Sequence, residues 1–190
     1  MNILIAGNSY AADWTKKYPE REGWPNFLEK KYKVHNVAEC GVGEYKVYEQ
    51  LKNLNIHNFQ FVIISHAQST RIHTRKHPLW HNDTLMKNCD LIYSDLHYHS
   101  KKIKNFFNNS LKSAEQFFNY HYDDDYQKFV YCLILEKINF LLNESNVFVV
   151  NDYVTENFEK KYYGNCNHLN YEGNKIILSK IEEKMSKLNI

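Results

Sequence analysis

The sequence contains few of the residues that cross-link or punctuate a chain. It has 6 glycines, 3 prolines and 4 cysteines among 190 residues. No two cysteines form a C-x-x-C pair, which argues against a zinc knuckle or a dithiol redox motif. We therefore expect reduced thiols, and the length predicts a single domain over residues 1–190.

Long apolar stretches are also missing. No run of 18 or more apolar residues occurs, so we expect no membrane-spanning segment and no membrane partner. The apolar N-terminus, residues 1–6, is too short for the core of a signal peptide and has no basic segment before it. These features predict a cytoplasmic protein.

The charged residues show no excess of one sign. Lysine and arginine number 24 against 22 aspartates and glutamates, which gives a formal net charge of +2. Binding of duplex nucleic acid needs basic side chains massed on one face, so we expect no nucleic-acid partner. Apolar residues make up 43% of the chain, with 15 tyrosines and 11 phenylalanines, and this is enough to fill a core.

Four short apolar runs separated by helical stretches indicate an α/β fold. The runs cover residues 2–6, 33–38, 59–65 and 146–150. Amphipathic spacing and helix-start residues predict helices at 24–31, 44–54 and 171–188. Alternation of strand and helix is typical of a parallel sheet with helices on both faces. We predict such a sheet with four or five strands.

The middle of the chain interrupts this alternation. Residues 83–143 contain no glycine or proline and are rich in tyrosine and phenylalanine. We interpret them as a helical insertion, with one helix starting near residues 123–125, because carboxylates favour the positive end of a helix dipole. Its aromatic residues are expected to form core and a cap over the sheet edge. A lid over a pocket and a surface for self-association are the alternatives.

Two reactive side chains lie in loops of the predicted fold. Ser9 lies on a Gly-Asn-Ser turn after the first strand, and His168 lies in the loop before the C-terminal helix. Ligands of doubly wound sheets bind outside the carboxyl ends of the strands, so Ser9 and His168 can meet at one edge. A serine after a strand more often caps a helix, and its pairing with a histidine is what favours nucleophilic chemistry.

These segments resemble, in the same order, the conserved blocks of the SGNH or GDSL-type hydrolases. Residues 3–9 are similar to the strand and Gly-Asp-Ser block, Gly41 to the second-block glycine, 65–69 to the Gly-x-Asn-Asp block, and 165–168 to the Asp-x-x-His block. The similarity covers roughly 1–70 and 145–190. It implies a three-layer, flavodoxin-like α/β/α sandwich that hydrolyses esters or transfers their acyl groups.

The resemblance also implies a role for each site residue. Ser9 is the nucleophile and His168 is its general base. The N–H groups of Ser9 and Gly41 surround the oxyanion, and the side-chain amide of Gln68 takes the place of the family's asparagine there.

Two asparagines stand where the family has acids. Asn8 replaces the acid of the first block, and Asn165 replaces the acid that orients the histidine. An amide can hold the imidazole of His168 but cannot stabilise its imidazolium form by charge. We therefore name Asp152, just past the fourth strand, as an alternative orienting acid. A plain Ser–His dyad supported by a main-chain carbonyl is the other option.

Basic residues gather in the stretch after the third strand. We expect Arg71 or Arg75 to pair with an anionic part of the substrate, and His66 to be a further substrate contact. A solvated basic loop is the alternative.

Three histidines in this stretch raise the question of a metal site. His73, His77 and His81 are spaced by four residues. Pro78 interrupts any helix that would align them, so we predict no metal and no cofactor.

Together these features predict a serine esterase or acyltransferase. Its expected substrate is a small-molecule or carbohydrate ester, such as an O-acetylated compound, and this substrate can carry a negative charge. Self-association is left open. One alternative is a binding protein of the same fold that has lost its chemistry. The other is a flavodoxin-like protein that binds phosphate or a nucleotide through the 7–9 loop.

Overall fold

The computed structural model describes residues 1–143, 148–151, 158–164 and 168–187. These residues form an α/β fold around four parallel strands in the spatial order β2-β1-β3-β4. The strands are β1 (Asn2–Gly7), β2 (Lys33–Asn36), β3 (Phe61–Ser65) and β4 (Phe148–Asn151). This order is that of a flavodoxin-like sheet, so the predicted fold class is confirmed.

The register of the sheet brings the strand ends to one edge. Gly7 at the end of β1 pairs with Ser65 at the end of β3, and Ile5 pairs with Asn36 at the end of β2. Because the strands are parallel, the loops that leave their carboxyl ends lie side by side. The loops that carry Ser9 and Gly41 therefore leave neighbouring strands.

Six α-helices occur within the described ranges. They are α1 (Trp24–Glu29), α2 (Glu44–Lys52), α3 (Tyr93–Ser100), α4 (Asn109–Tyr120), α5 (Asp124–Asn143) and α6 (Tyr171–Lys187). At the start of α5 the side chain of Asp123 accepts a hydrogen bond from the N–H of Tyr126, which satisfies a donor of the first turn. In this part of the chain no helix has both the length and the apolar character needed to cross a lipid bilayer.

Helices cover both faces of the sheet, which makes the fold a three-layer sandwich. Ile3 and Ile5 of β1 belong to the core that α1 and α6 cover, whereas Leu4 and Ala6 belong to the core that α2 and α5 cover. Side chains alternate between the two faces of a strand, so a strand buried on both sides needs an unbroken apolar run. This requirement explains the continuous apolar stretches of β1 and β3.

The aromatic-rich stretch 83–143 divides into two parts. α5 places Ile138 and Leu142 in the core beside α2, so it forms part of a layer of the sandwich. α3 and α4 pack on each other and bury Leu96 and Leu111. Many aromatic side chains of the stretch are exposed rather than in the core: Tyr98, Phe106, Phe107, Phe117, Tyr120, Tyr126, Phe129 and Phe140.

Candidate active site

The chain leaves β1 through a glycine that no other residue could replace without strain. Gly7 has a φ of +145°, and a Cβ built on it would lie 2.5 Å from the carbonyl oxygen of Ser65. The next N–H, that of Asn8, donates to the same Ser65 oxygen over 3.1 Å. The glycine thus lets the chain turn against the end of β3, and this turn sets the position of Ser9.

Asn8 uses both halves of its amide to fix this turn. Its Nδ2 donates to the carbonyl oxygen of His66 over 2.7 Å. Its Oδ1 accepts from the N–H of Tyr10 over 3.0 Å and from Oγ of Ser65 over 3.2 Å. An aspartate could accept but could not donate to the His66 carbonyl. The asparagine is therefore a structural residue of this turn, which gives a physical reason for its departure from the Gly-Asp-Ser pattern.

Ser9 lies on this turn and is not followed by an α-helix. The residues after it form turns and a short 3-10 helix at Trp14–Lys16, and α1 begins only at Trp24. The indole N–H of Trp14 donates to the carbonyl oxygen of Ser9 over 2.8 Å. Ser9 therefore does not cap an α-helix. Ser9 also lacks the following helix N-terminus whose dipole a phosphate-binding loop uses to hold its anion.

The ring of His168 contacts two aromatic side chains that follow Ser9 in the chain. Its ring centroid is 5.0 Å from that of Tyr10 and 4.8 Å from that of Trp14. Its carbonyl oxygen accepts a hydrogen bond from the N–H of Gly164 over 2.7 Å. The C-terminal loop and the Ser9 turn are thus in direct contact through these rings.

Ser9 and His168 line the same cavity, which has a volume of about 240 Å³. Aromatic and apolar groups form part of the wall, and the lining segment 20–23 contributes three charged side chains, those of Glu20, Arg21 and Glu22. The remaining lining residues are Tyr10, Ala12, Trp14, Gly164, Leu169, Asn170, Tyr171 and Asn174. This is the place where the predicted nucleophile and base come together.

The phenol of Tyr10 remains protonated in this cavity. Burial raises its pKa above the ordinary value, and the nearby Tyr163 raises it further, although Arg71 has the opposite effect. A phenol in this form has an O–H that can donate to a substrate oxygen.

Gly41, the predicted second oxyanion donor, has its backbone fixed from two sides. Its φ is +69°, and an added Cβ would collide with Sγ of Cys89. Its carbonyl oxygen accepts from Nη1 of Arg71 over 3.0 Å and from the N–H of Asp90 over 2.9 Å. The preceding carbonyl, that of Cys40, faces Sγ of Cys89 at 3.3 Å. Because a trans peptide directs its N–H opposite to its carbonyl, the N–H of Gly41 points away from Cys89.

The cysteines beside Gly41 are not alternative nucleophiles. Burial raises the pKa of Cys40 and that of Cys89 to about 12. A thiol is nucleophilic as the thiolate, so both side chains are inert at neutral pH.

The carboxylate of Asp90 fixes the loop that contains Gly41 and Gly43. Its carboxylate accepts from the N–H of Gly43 over 2.7 Å and from the N–H of Thr74 over 2.9 Å, and it lies 2.7 Å from Nζ of Lys46. The Asp90 side chain is 0% exposed and that of Lys46 is 14% exposed. This buried ion pair joins the loop after β2, the start of α2 and the segment after β3.

A second buried carboxylate organises the end of β3. Oε1 of Glu44 lies 2.6 Å from Nδ1 of His66, and Oε2 accepts from the N–H of Ala67 over 2.8 Å. His66, predicted to contact substrate, is therefore engaged with the first residue of α2. A substrate role for His66 stays a prediction.

Gln68 and Arg71 line a second cavity, of about 310 Å³, whose lining residues differ from those of the first. This cavity lies between the start of α2 and α5, where Gln127 donates to the carbonyl oxygen of Arg71 over 3.0 Å. Arg75 is exposed. The predicted third oxyanion donor and the predicted anion-binding arginine thus line the second cavity and not that of Ser9, although Arg71 is near enough to Tyr10 of the first cavity to lower its pKa. The roles of Gln68, Arg71 and Arg75 stay predictions.

The sequence predicts two possible orienting partners for His168. Asn165 and its alternative, Asp152, both lie outside the described residues.

The three histidines spaced by four face different neighbours. His73 approaches Asp90, and Nδ1 of His81 approaches the carbonyl oxygen of His77 at 3.0 Å. Burial lowers the pKa of His77 to about 4, and its ring stacks on Trp80. Across the described ranges, no group of three or more His, Cys, Asp or Glu side chains is placed to hold a metal ion.

Sequence reasoning missed four side chains of this region: Tyr10, Trp14, Glu44 and Asp90. The first two follow Ser9 closely, and aromatic residues so near a candidate nucleophile are a signal that could have been used. Asp90 is 47 residues from Gly43, to whose N–H it is bonded. Nothing local in the sequence indicates that contact.

No protein-family model and no curated protein matches the sequence. Among solved structures, the chain is similar to one described as a lipolytic protein of the G-D-S-L family from Desulfitobacterium hafniense DCB-2. Their identity is 13% and the TM-score 0.42, over 96% of this chain and 98% of that one. It is also similar to a GDSL-like lipase from Bacteroides ovatus ATCC 8483, at 14% identity and a TM-score of 0.41, over 98% of each chain.

Proposed function

We propose that the protein is a serine hydrolase or acyltransferase that acts on a small ester or an O-acetyl group. The observation that supports this most is that Ser9 and His168 line one cavity at the carboxyl edge of the sheet. They come from opposite ends of the chain, and a cavity shared by a hydroxyl and an imidazole is what nucleophilic catalysis requires.

In the proposed reaction Ser9 Oγ passes its proton to His168 and bonds to the carbonyl carbon of the ester. The carbonyl oxygen takes up the negative charge and accepts hydrogen bonds from the N–H groups of Ser9 and Gly41. Collapse of the tetrahedral intermediate breaks the ester C–O bond, and His168 returns the proton to the leaving oxygen. Water, or another hydroxyl compound in a transfer reaction, then attacks the acyl-serine and restores Ser9.

The size and lining of the cavity favour a small substrate. Drug-sized ligands occupy pockets of roughly 300–1,000 Å³. The Ser9 cavity, at about 240 Å³, lies below that range. Tyr10, Trp14 and Tyr171 offer flat surfaces against which an acyl group or a sugar ring can pack.

An anionic substrate would meet Arg21 rather than Arg71 in this cavity. Arg21 is part of its lining, and its guanidinium lies 4.3 Å from the centroid of the Tyr18 ring. That stacking, together with Oε1 of Glu20 at 3.8 Å from Nε of Arg21, fixes the position of the guanidinium. We accordingly propose Arg21 as the side chain that binds the negative charge of an anionic ester.

A serine-directed fluorophosphonate probe tests the proposed function. We expect the wild-type chain to form a covalent adduct, and mass spectrometry of its peptides to locate the adduct on Ser9. Ser9→Ala should reduce labelling to background. Ser69→Ala, which removes a serine from the loop after β3, should leave it unchanged.

Two results would contradict the proposal. One is labelling that persists in Ser9→Ala. The other is a wild-type chain that does not react although its circular dichroism shows it to be folded, which would favour the binding-protein alternative.

A further inference from the structure

The connection between α3 and α4 exposes large apolar side chains to solvent. Ile103 is 93% exposed, Phe107 is 89% exposed and Phe106 is 59% exposed. Isolated exposed apolar residues are common in soluble proteins, but three within five residues form a patch that indicates an interaction surface. We name residues 101–112 the basic aromatic tip.

Lysines flank this apolar group in the sequence. Lys101, Lys102, Lys104 and Lys112 lie in the tip, and no acidic residue occurs from position 96 to position 114. Nζ of Lys102 lies 3.9 Å from the ring centroid of Tyr98, and Nζ of Lys112 lies 4.4 Å from that of Phe106. Cations and aromatic rings are therefore interleaved on one small surface, within a chain whose net charge is only +2.

Hydrogen bonds hold the backbone of the tip in place. The side chain of Asn105 donates to the carbonyl oxygen of His99 over 2.9 Å. Asn108 donates to the carbonyl oxygen of Pro78 over 3.3 Å and accepts from the N–H of Leu111 over 3.0 Å, capping α4. The apolar side chains thus project from a fixed backbone.

We propose that the basic aromatic tip docks the protein onto an anionic phospholipid surface. The apolar side chains would enter the boundary between headgroups and acyl chains, and the lysines would pair with lipid phosphates. The charge of the tip is complementary to such a surface, and a peripheral contact of this kind needs no membrane-spanning helix. The prediction from sequence of no membrane partner considered spanning segments only.

A lipid surface fits these residues better than a protein or a nucleic acid does. Protein interfaces are depleted in lysine, and a second copy paired through the same tip would bring four lysines against four. Single-stranded nucleic acid binds by stacking on aromatic faces, and the most exposed side chain here, Ile103, has no such face. This inference does not depend on the chemistry proposed for Ser9.

Sedimentation of the full chain with vesicles tests the inference. We expect binding to phosphatidylcholine vesicles that contain about one third phosphatidylglycerol, and little binding to phosphatidylcholine alone. Binding should be strong at about 0.1 M salt and mostly lost at about 0.5 M, because salt screens exposed charges.

Paired variants show which residues are responsible. Ile103→Ser with Phe107→Ser should weaken binding by about tenfold or more, because it removes the apolar part of the contact. The matched control is Leu133→Ser with Phe140→Ser, which removes exposed apolar side chains from α5 and should leave binding unchanged.

A second pair of variants addresses the lysines. Lys101→Gln, Lys102→Gln and Lys104→Gln together should weaken binding by about 100-fold, since each lysine near an anionic bilayer contributes about fivefold. Lys175→Gln, Lys180→Gln and Lys184→Gln on α6 are the control. Because the substituted side chains of the tip lie at the surface, circular dichroism should show every variant folded.

Three outcomes would overturn the inference. The first is no binding of the wild-type chain to anionic vesicles. The second is equal loss of binding in the tip variants and their controls. The third is a dimer in sedimentation velocity that Phe107→Ser dissolves, since that result would assign the tip to self-association.

Discussion

Replacing His168 by alanine is expected to lower kcat/KM for a small aryl ester by about 10³-fold or more. Without the imidazole, Ser9 loses the base proposed to take its proton in the attacking step, and a neutral hydroxyl is a weak nucleophile. The measurement is the initial rate of ester hydrolysis as a function of substrate concentration. The loss should appear mainly in kcat, because the histidine acts in the transition state.

His168 also packs against Tyr10 and Trp14, so the loss of rate must be separated from a loss of packing. His168→Phe keeps an aromatic ring at this position and removes only the base. We expect it to be as inactive as His168→Ala while the thermal midpoint stays closer to that of the wild type. His57→Ala, at an exposed position, serves as the control histidine. Substantial activity in His168→Phe would rule out the proposed base.

Replacing Asp90 by alanine is expected to lower the free energy of unfolding by about 3–5 kcal/mol, the usual effect of removing one partner of a buried ion pair. The substitution leaves the N–H groups of Gly43 and Thr74 without their acceptor and the largely buried ammonium of Lys46 without its counter-ion. Urea unfolding followed by fluorescence measures the change.

The variant Asp90→Ala with Lys46→Met tests the cause of this loss. If the uncompensated charge is responsible, removing the ammonium as well should recover part of the stability lost in Asp90→Ala. Asp90→Ala should also lower esterase activity, because it removes the carboxylate that accepts from the N–H of Gly43 and so fixes the loop that contains Gly41. A loss of stability below about 1 kcal/mol would contradict the structural role given to this network.

Much of the sheet could be predicted from local sequence because a buried parallel strand needs an unbroken apolar run. The predicted strand 2–6 corresponds to β1, and 59–65 contains β3. The predicted strand 33–38 is longer than β2, although the N–H of Val37 still donates to the carbonyl of Ile5 beyond the assigned end. Strand ends are set by the partner strand, which the sequence of one run does not contain.

The position of α5 could not be predicted in the same way. Its sequence is apolar on several sides, with Ile138 and Leu142 buried but Phe129 and Phe140 exposed. An amphipathic pattern identifies the buried face only when the other face is polar. The sequence therefore indicated a helix but not that it packs on the sheet beside α2.

The candidate site likewise contains residues whose placement could be predicted from the sequence and residues whose placement could not. Ser9 and His168 could be proposed together because parallel strands bring their carboxyl ends to one edge, and this is a property of the topology. The placement of Gln68 depends on the direction in which one loop turns. Its side chain lines the cavity beside α5 rather than that of Ser9. The role of Asn8 as both donor and acceptor depended on the position of the His66 carbonyl, which only the folded chain provides.

A double-mutant cycle of Ser9→Ala and His168→Ala tests most directly the claim that these two residues act as one catalytic unit. The measured quantity is kcat/KM for hydrolysis of the same aryl ester by the wild type, the two single variants and the double variant. We predict that all three variants fall to one residual rate, because removing either member of a unit removes the function of both. Effects that multiply in the double variant would show that Ser9 and His168 act independently and would contradict the proposed function.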